Sequence, residues 1–277
     1  MKLQPEPKHM TIGVIISTYN NPQWLEKTLW GYTAQTRPAD EIIIADDGSR
    51  PETAELIRSF EKRLPVRHVW HEDNGFRKTI ILNKALAMAT ADYLVFTDQD
   101  CVPRHDFLAT HERMACSGRF LSGGYFKLPM GISRLLSHED ILSGRAFSLQ
   151  WLMQQGLKLS FKCTKLVGNP LFAWLNHITP THATWNGMNS SGWRTDLLSA
   201  NGFDERMQYG GEDRELGERL TNAGIRGKQI RYSAIVLHLD HNRPYVNDEA
   251  WQLNNAIRKN TKKLKLTRTE HGMTQQP

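Results

Sequence analysis

The chain has 277 residues, of which 39% are hydrophobic and 23% are charged, which describes a globular protein with an ample core. The formal net charge of +6 indicates an anionic partner but does not choose among nucleic acid, phospholipid and nucleotide. The three cysteines have no paired spacing, which argues against a disulfide framework or a cysteine zinc site and favours a reducing compartment.

The first ten residues lack the apolar stretch of a signal peptide, and no segment approaches the roughly 20 apolar residues of a spanning helix. We therefore expect a cytoplasmic protein, with a peripheral contact to the inner face of the cell membrane as an open alternative. The basic residues at 259–268 are either a solvated tail or a membrane-surface contact. Nucleic acid is not an expected partner, because no recognised module or aromatic-studded basic sheet is found.

Strands and helices alternate over the first hundred residues. Apolar runs predict strands at 11–17, 41–45, 66–70 and 93–97, with helices from Pro22, over 54–60 and over 80–88. This alternation predicts right-handed crossovers and a mostly parallel sheet, and therefore an α/β fold. Neither a dinucleotide-binding glycine fingerprint nor a Walker loop occurs in the sequence, which argues against NAD enzymes and P-loop NTPases.

The pattern changes after about residue 118. Residues 120–126 are predicted to form one strand, and residues 235–238 form a later one. Residues 131–180 carry long apolar and basic stretches, for which two assignments remain open. They are either helices packed over the sheet or an amphipathic, partly exposed patch for a lipid-linked acceptor or a membrane surface.

Two carboxylates, in the triplet Asp98-Gln99-Asp100, close the predicted strand at 93–97. This is the edge at which open α/β sheets bind ligands. Hard oxygen ligands there suit a divalent cation that in turn holds a diphosphate. The alternative is a strand-ending turn whose aspartates are solvated.

Other polar clusters follow the first two strands. Thr18 and Tyr19 come after the first strand, and Asp46 and Asp47 come after the second. Carboxylates accept hydrogen bonds from a nucleobase or a ribose, and a tyrosine ring can stack on a base. The residues at 46–49 also have the composition of a plain turn, so that reading stays open.

A third acidic motif lies much later in the chain. Gly210-Gly211 permits close approach of a ligand, and Glu212-Asp213 then fall in the first turn of a predicted helix that ends at Gly224. Acidic residues at this position are either ordinary helix capping or a general base for a hydroxyl nucleophile.

Taken together, the motifs resemble those of family 2 inverting glycosyltransferases of the GT-A fold, over residues 11 to about 245. The C-terminal part is similar to the galactosyltransferase-like region, and bacterial surface-polysaccharide, lipopolysaccharide and chondroitin-type transferases are the most similar in kind. One departure is Tyr209, where family members often have tryptophan. The matching pieces are Ser17-Thr18-Tyr19-Asn20, Asp46-Asp47-Gly48-Ser49, Asp98-Gln99-Asp100, Asn201-Gly202-Phe203-Asp204-Glu205 and Gly211-Glu212-Asp213.

The resemblance implies a donor site and a metal. The base and ribose of a nucleotide sugar, expected to be UDP-linked, would be held by Thr18, Tyr19, Asp46 and Asp47. Asp98 would approach the ribose and diphosphate, and Asp100 would ligate Mn²⁺ or Mg²⁺. A histidine late in the chain would complete the metal shell, and His238 at the end of an apolar strand matches it, with His241 as the alternative.

The resemblance also implies the acceptor side of the site. Asp213 would deprotonate the acceptor hydroxyl, and Glu212 beside Gly211 would bind the acceptor or donor sugar. Arg77, together with Lys78, is either a diphosphate contact or a solvated helix start. The run at 185–193, which is rich in small residues and amides, is expected to line the pocket through Asn189 and Trp193.

We therefore expect a single GT-A-like domain in three parts. They are a nucleotide-sugar-binding half at 1–100, an acceptor-binding and catalytic half at 101–242 with a helical insert near 131–180, and a basic helical tail at 243–277. The expected activity is metal-dependent, inverting transfer of a sugar to a hydroxyl of a glycan or lipid-linked acceptor. A sugar-nucleotide pyrophosphorylase is disfavoured because residues 17–22 contain no glycine or arginine. A non-catalytic nucleotide-binding protein is disfavoured because the acidic set is complete.

Overall fold

Two β-sheets form the centre of the protein in a computed structural model that describes residues 10–167, 173–241 and 248–273. The strands are β1 (Ile12–Thr18), β2 (Glu41–Asp46), β3 (Val66–Trp70), β4 (Tyr93–Asp98), β5 (Cys101–Pro103), β6 (Arg119–Ser122), β7 (Gly124–Lys127), β8 (Ser190–Trp193), β9 (Arg226–Gln229) and β10 (Ile235–His238). The larger sheet has the order β3-β2-β1-β4-β8-β6-β9, and the smaller has the order β5-β10-β7.

Helices cover the sheets and fill the connections between strands. They are α1 (Pro22–Thr33), α2 (Pro51–Phe60), α3 (Lys78–Met88), α4 (Phe107–Met114), α5 (Met130–Leu135), α6 (His138–Leu142), α7 (Leu149–Gln154), α8 (Leu175–Ile178), α9 (Arg194–Ser199), α10 (Glu212–Asn222) and α11 (Asp248–Leu264), with short 3₁₀ helices at Arg145–Phe147 and Phe161–Lys165.

The mostly parallel α/β sheet predicted from the sequence is confirmed. Strand β1 pairs in parallel with both β2 and β4, and β2 pairs in parallel with β3. Only β8 runs antiparallel to its neighbours β4 and β6 among the strand pairs described in this sheet. Both faces of β1 are buried, because Val14 and Ile16 pack in one core cluster while Ile15 packs in another.

The single strand expected at 120–126 is instead two strands that belong to different sheets. Strand β6 pairs with β8 and β9 in the larger sheet, whereas β7 pairs with β10 in the smaller. The chain changes sheets at Gly123, where a β-carbon would overlap the side chain of Asn189. Asn189 fills the space beside the backbone at this corner, so a residue with a side chain would not fit there.

Between residues 130 and 166, short helices pack on a third core cluster around Val102, Phe126 and Leu237. The side chains of these helices that point into the core agree with the expectation of helices packed over the sheet. Several apolar side chains on their outer surface remain exposed. Residues 168–172, which belong to the same apolar stretch, lie outside the described residues. Among those described, no helix has the length and apolar character needed to cross a bilayer.

The C-terminal helix α11 packs against α10 rather than forming a solvated tail. Thr261 is buried and its hydroxyl donates to Glu215 Oε1 at 2.8 Å. Arg258 forms an ion pair with Glu218 across the same interface, at 2.5 Å. The basic residues of this helix therefore partly neutralise acidic residues of α10. The boundary expected at 242–243 falls outside the described residues.

Candidate active site

The carboxyl ends of β1, β2 and β4 meet at one edge of the larger sheet. In the parallel register, Ser17 lies opposite Asp98 and Thr18 lies opposite Asp46. Three of the sequence motifs are therefore brought together simply because they end neighbouring parallel strands.

Gln99 joins the loop after β1 to the loop after β4. Its side-chain oxygen accepts hydrogen bonds from the Thr18 hydroxyl at 2.6 Å and from the Tyr19 backbone N–H at 3.1 Å. The Tyr19 hydroxyl donates to Asp73 at 2.9 Å, and the residue remains 45% exposed. Tyr19 is thus held in position with part of its surface open to a ligand.

Asp46 and Asp47 are both buried, and each is held by a histidine. Asp46 accepts the Ser49 backbone N–H at 2.8 Å and lies 2.9 Å from His68 Nε2. Asp47 lies 2.7 Å from His71 Nε2, and burial raises the pKa of this carboxyl while His71 opposes the shift. Sequence reasoning missed both histidines, although their place within and just after a strand ending at this edge was a signal.

Asp100 lies in a compact cluster with His238 and His241. Its Oδ2 atom is 2.8 Å from His241 Nε2 and 3.7 Å from His238 Nε2. The cluster forms because β5, which follows Asp100, pairs with β10, which ends at His238. One carboxylate and two imidazoles are a donor set that suits a first-row divalent cation. The structure therefore brings together both histidines between which the sequence did not choose.

The two histidines favour the ionised form of Asp100 even though the carboxyl is buried. Burial by itself would raise the pKa of Asp100, but the hydrogen bond from His241 and the charge of His238 lower the pKa below its usual value. The ligand atoms of the three residues lie within 4.8 Å of one another. The residues present therefore fit a divalent metal ion.

Asp98 pairs with a cation in this structure. Its Oδ1 atom lies 2.7 Å from Lys78 Nζ and accepts the Ser17 hydroxyl at 2.5 Å. Burial opposes the charge of Lys78, but Asp98 and Glu212 raise the pKa of the amine above its usual value. Lys78 therefore carries a permanent positive charge at the site.

Arg77, by contrast, forms hydrogen bonds with residues of the loops beside it. Its backbone N–H donates to Asp47 at 3.0 Å, and its guanidinium donates to the carbonyl of Glu72. Of the two neighbouring cations, Lys78 is the one that faces the shared edge.

Asp213 and Glu212 begin helix α10 beside the same edge. Asp213 accepts the backbone N–H groups of Arg214 at 2.6 Å and of Gly187 at 3.1 Å, and burial raises the pKa of its carboxyl. Burial and the adjacent Asp213 raise the pKa of Glu212 to about 7. A carboxyl group whose pKa is raised above its usual value is better suited to accept a proton.

Gly187 connects this carboxyl pair to Lys78 and Asp98. A β-carbon at Gly187 would lie 3.7 Å from Lys78 Nζ and 4.0 Å from Asp98 Oδ2. Its backbone N–H meanwhile donates to Asp213. The run at 185–193 therefore reaches the site at Gly187.

Asn189 and Trp193, expected to line the pocket, have structural contacts instead. Asn189 is fully buried, and its amide donates to the carbonyls of Gly124 at 2.7 Å and Ala234 at 3.1 Å. Trp193 lies opposite Tyr93 at the far end of β4, and its indole N–H donates to the Cys116 carbonyl at 3.1 Å. Neither residue lies with Asp98 and Asp213.

The loop before Glu212 is held by a residue that sequence reasoning missed. The buried side-chain amide of Asn254, on α11, donates to the carbonyls of Gln208, Tyr209 and Gly210 at 3.1, 3.2 and 3.0 Å. Gly210 and Gly211 have φ angles of +111° and +92°, which favour glycine. The last carbonyls of the loop are thus paired by the C-terminal helix.

Sequence comparison agrees with the motifs. Residues 13–128 match the model of glycosyl transferase family 2. This part of the chain, somewhat less than half of it, is therefore similar to that family, as the sequence motifs predicted.

Curated relatives include a polysaccharide synthase and a glucosyltransferase. The hyaluronan synthase of Pasteurella multocida is 33% identical over 112 residues, which are 39% of this chain and 12% of that protein. Validoxylamine A glucosyltransferase of Streptomyces hygroscopicus subsp. limoneus is 28% identical over 233 residues, covering 77% of this chain and 48% of that protein. This chain thus spans about half or less of the length of these two relatives.

Solved structures share the GT-A fold. The mannosyltransferase PcManGT of Pyrobaculum calidifontis, in complex with GDP-Man and Mn²⁺, has a TM-score of 0.58 and 21% identity, and the match covers 91% of this chain and 63% of that one. S. aureus TarS 1-349, in complex with UDP-GlcNAc, has a TM-score of 0.57 and 15% identity, covering 90% of this chain and 66% of that one.

Proposed function

We propose that the protein is a metal-dependent, inverting glycosyltransferase. It moves a sugar from a nucleotide donor, a UDP-sugar, to a hydroxyl of a glycan or lipid-linked saccharide in the synthesis of a cell-surface polysaccharide. The observation that carries this proposal is the arrangement around Asp98. Close to it in the chain, Asp100 forms with His238 and His241 the cluster that fits a metal ion, here called the metal-type cluster. Asp98 also pairs with Lys78, and Gly187 lies beside both residues and donates to Asp213.

The nucleotide is held where β1 and β2 end. The exposed part of Tyr19 offers a surface for the base. Asp47 and Asp46 anchor the loop beneath it through His71 and His68, so the ribose contacts come from a rigid edge. Lys78 provides the fixed positive charge that faces the diphosphate.

Asp100, His238 and His241 would hold the metal ion, expected to be Mn²⁺ or Mg²⁺. A metal bound there supplies a Lewis acid that neutralises charge on the leaving diphosphate. Buried and ionised, Asp100 contributes the negative charge that attracts the cation. The two stacked imidazoles, with ring centroids 5.7 Å apart, would add nitrogen donors.

The transfer itself is a single displacement. The acceptor oxygen forms a bond to the anomeric carbon while the bond from that carbon to the diphosphate oxygen breaks. The acceptor proton passes to the Asp213 carboxylate, and the nucleoside diphosphate leaves with the electron pair. One base without a second nucleophilic carboxylate implies inversion at the anomeric carbon.

The related structures support the donor class without choosing the sugar. PcManGT was solved with GDP-Man and Mn²⁺, and TarS with UDP-GlcNAc, so the two neighbours carry different bases. The test is release of nucleoside diphosphate from UDP-, GDP- and dTDP-sugars with Mn²⁺ or with EDTA, alongside nucleotide-binding titrations. Manganese-dependent release from one donor is expected. Absence of binding to every nucleotide, with and without metal, would overturn the proposal, and pyrophosphate-dependent exchange would indicate a pyrophosphorylase.

The rate of transfer is expected to rise through about pH 7, because the Glu212–Asp213 pair must lose a proton before it can accept one. The charge of Lys78 lowers the pKa of Glu212, so Lys78→Met raises that pKa further. The rise should then move upward by about one pH unit. Measuring kcat against pH at saturating donor tests this expectation, with Lys62→Met, at an exposed position after α2, as the control. An unmoved profile would separate Lys78 from the acidic pair.

Asn254→Ala should slow transfer because the loop before Glu212 loses three hydrogen bonds. We expect a loss of about 1–3 kcal/mol in the free energy of unfolding and more than about tenfold in kcat. Asn222→Ala is the matched control, since its amide donates to the carbonyls of Thr261 and Leu266 in the same α10–α11 interface. The control should lose similar stability and keep its kcat. Equal loss of kcat in both variants would show a general stability effect.

A further inference from the structure

Residues 141–195 contain no aspartate or glutamate but include five lysines and arginines. Apolar exposure concentrates in the same region. Of the fifteen exposed large hydrophobic residues among those that the structure describes, seven fall within 141–180. A surface with exposed apolar groups and only basic charge is complementary to a layer of anionic lipid headgroups.

The most exposed part of this region is residues 158–162, here called the apolar tip. Leu159 is 63% exposed and Phe161 is 72% exposed, the largest value among the exposed large hydrophobic residues described. Ser160 between them is extended, with φ −151° and ψ 165°, so the two apolar side chains project to the same side. Lys158 and Lys162 flank them and are themselves exposed.

The apolar tip is rigidly attached to the protein core. Leu157 precedes it and Cys163 and Leu166 follow it, and all three are buried in the third core cluster. Leu159 and Phe161 are therefore exposed because the residues on either side of them, Leu157 and Cys163, are held in the core.

The apolar tip is connected to the cluster of Asp100, His238 and His241 through Lys165 and Tyr125. Lys165, at the end of the same 3₁₀ helix, donates to the Tyr125 carbonyl at 3.2 Å and lies 5.4 Å from the centre of its ring. The Tyr125 ring is in turn 6.0 Å from the ring of His238. Lys165 lies four positions after Phe161, about 8 Å at the rise of a 3₁₀ helix.

We propose that the apolar tip inserts into an anionic phospholipid surface and that this contact presents the hydroxyl of a lipid-linked saccharide to the site. An aromatic and an aliphatic side chain between two lysines combine apolar burial with attraction to anionic headgroups. A second copy of this chain is a poorer occupant, because the lysines of the two tips would repel each other. The membrane contact stands on the surface alone, whereas the choice of acceptor rests on the proposed function.

The test is sedimentation of the full chain with vesicles of phosphatidylcholine alone or with one-third phosphatidylglycerol. The wild-type protein should bind the anionic vesicles, and raising the salt concentration should weaken that binding. Leu159→Ser with Phe161→Ser should bind at least about tenfold more weakly. Lys158→Gln with Lys162→Gln should reduce binding to the anionic vesicles about fivefold per lysine.

Leu264→Ser is the matched control, because Leu264 is 58% exposed and is surrounded by lysines at the end of α11. It should bind as the wild-type protein does, and all variants should keep the wild-type melting temperature. The proposal is wrong if the wild-type protein binds neither vesicle, if the double serine variant binds normally, or if the control loses as much. Release of nucleoside diphosphate without vesicles, measured on the same samples, reports separately on the proposed function.

Discussion

Asp213→Asn is expected to reduce kcat by about 10²- to 10⁴-fold while leaving nucleotide affinity nearly unchanged. The amide has the shape of the carboxylate but cannot take the acceptor proton. It can still accept a backbone hydrogen bond from Gly187 or Arg214, so the start of helix α10 should stay in place. Transfer under saturating donor and the dissociation constant for UDP are the two quantities to measure.

Asp196→Asn is the matched control, because Asp196 also lies in the first turn of a helix, α9, whose start adjoins the far end of β4. Burial raises the pKa of its carboxyl as well. The control should transfer at the wild-type rate. If Asp213→Asn instead weakens UDP binding and leaves kcat unchanged, Asp213 is a donor contact and the base assignment is wrong.

Asp100→Ala is expected to weaken nucleotide binding in the presence of Mn²⁺ by about 100-fold. The reason is that Asp100 supplies the one carboxylate in the cluster that it forms with His238 and His241. Without metal, the variant and the wild-type protein should bind the nucleotide equally weakly. Calorimetric titrations of UDP with Mn²⁺ and with EDTA measure this difference directly.

His241→Ala and His238→Ala separate the two imidazoles. Both lie near the same oxygen of Asp100, at 2.8 Å and 3.7 Å, so each should reduce the metal-dependent part of the affinity. Asp106→Ala is the control, since Asp106 pairs with Arg104 and is not part of the cluster. Unchanged manganese-dependent affinity in Asp100→Ala would remove Asp100 from the metal site.

The first half of the fold was predictable because its signals are local. The buried runs that became β1, β2 and β4 are continuous and apolar, and the polar groups that follow them are adjacent in sequence. Parallel pairing then places Thr18, Asp46 and Asp98 at one edge without further information.

The second half was less predictable because its strands are short and its contacts are distant. The strand expected at 120–126 splits at Gly123, where the backbone packs against Asn189, a residue 66 positions later. That same packing buries Asn189, which the amide-rich run at 185–193 had suggested as a pocket residue. An amide in a run of small polar residues looks the same in sequence whether it faces a ligand or two backbone carbonyls.

The sequence by itself determined the α/β fold, the family resemblance and the acidic motifs, since apolar periodicity and short spacings encode them directly. Tertiary structure alone decided which charges meet. It paired Lys78 with Asp98, placed both His238 and His241 beside Asp100, and docked Asn254 on the loop before Glu212. The physical reason is that contacts between residues distant in the chain depend on how α3, β10 and α11 pack on the sheet. No local pattern in the sequence specifies that packing.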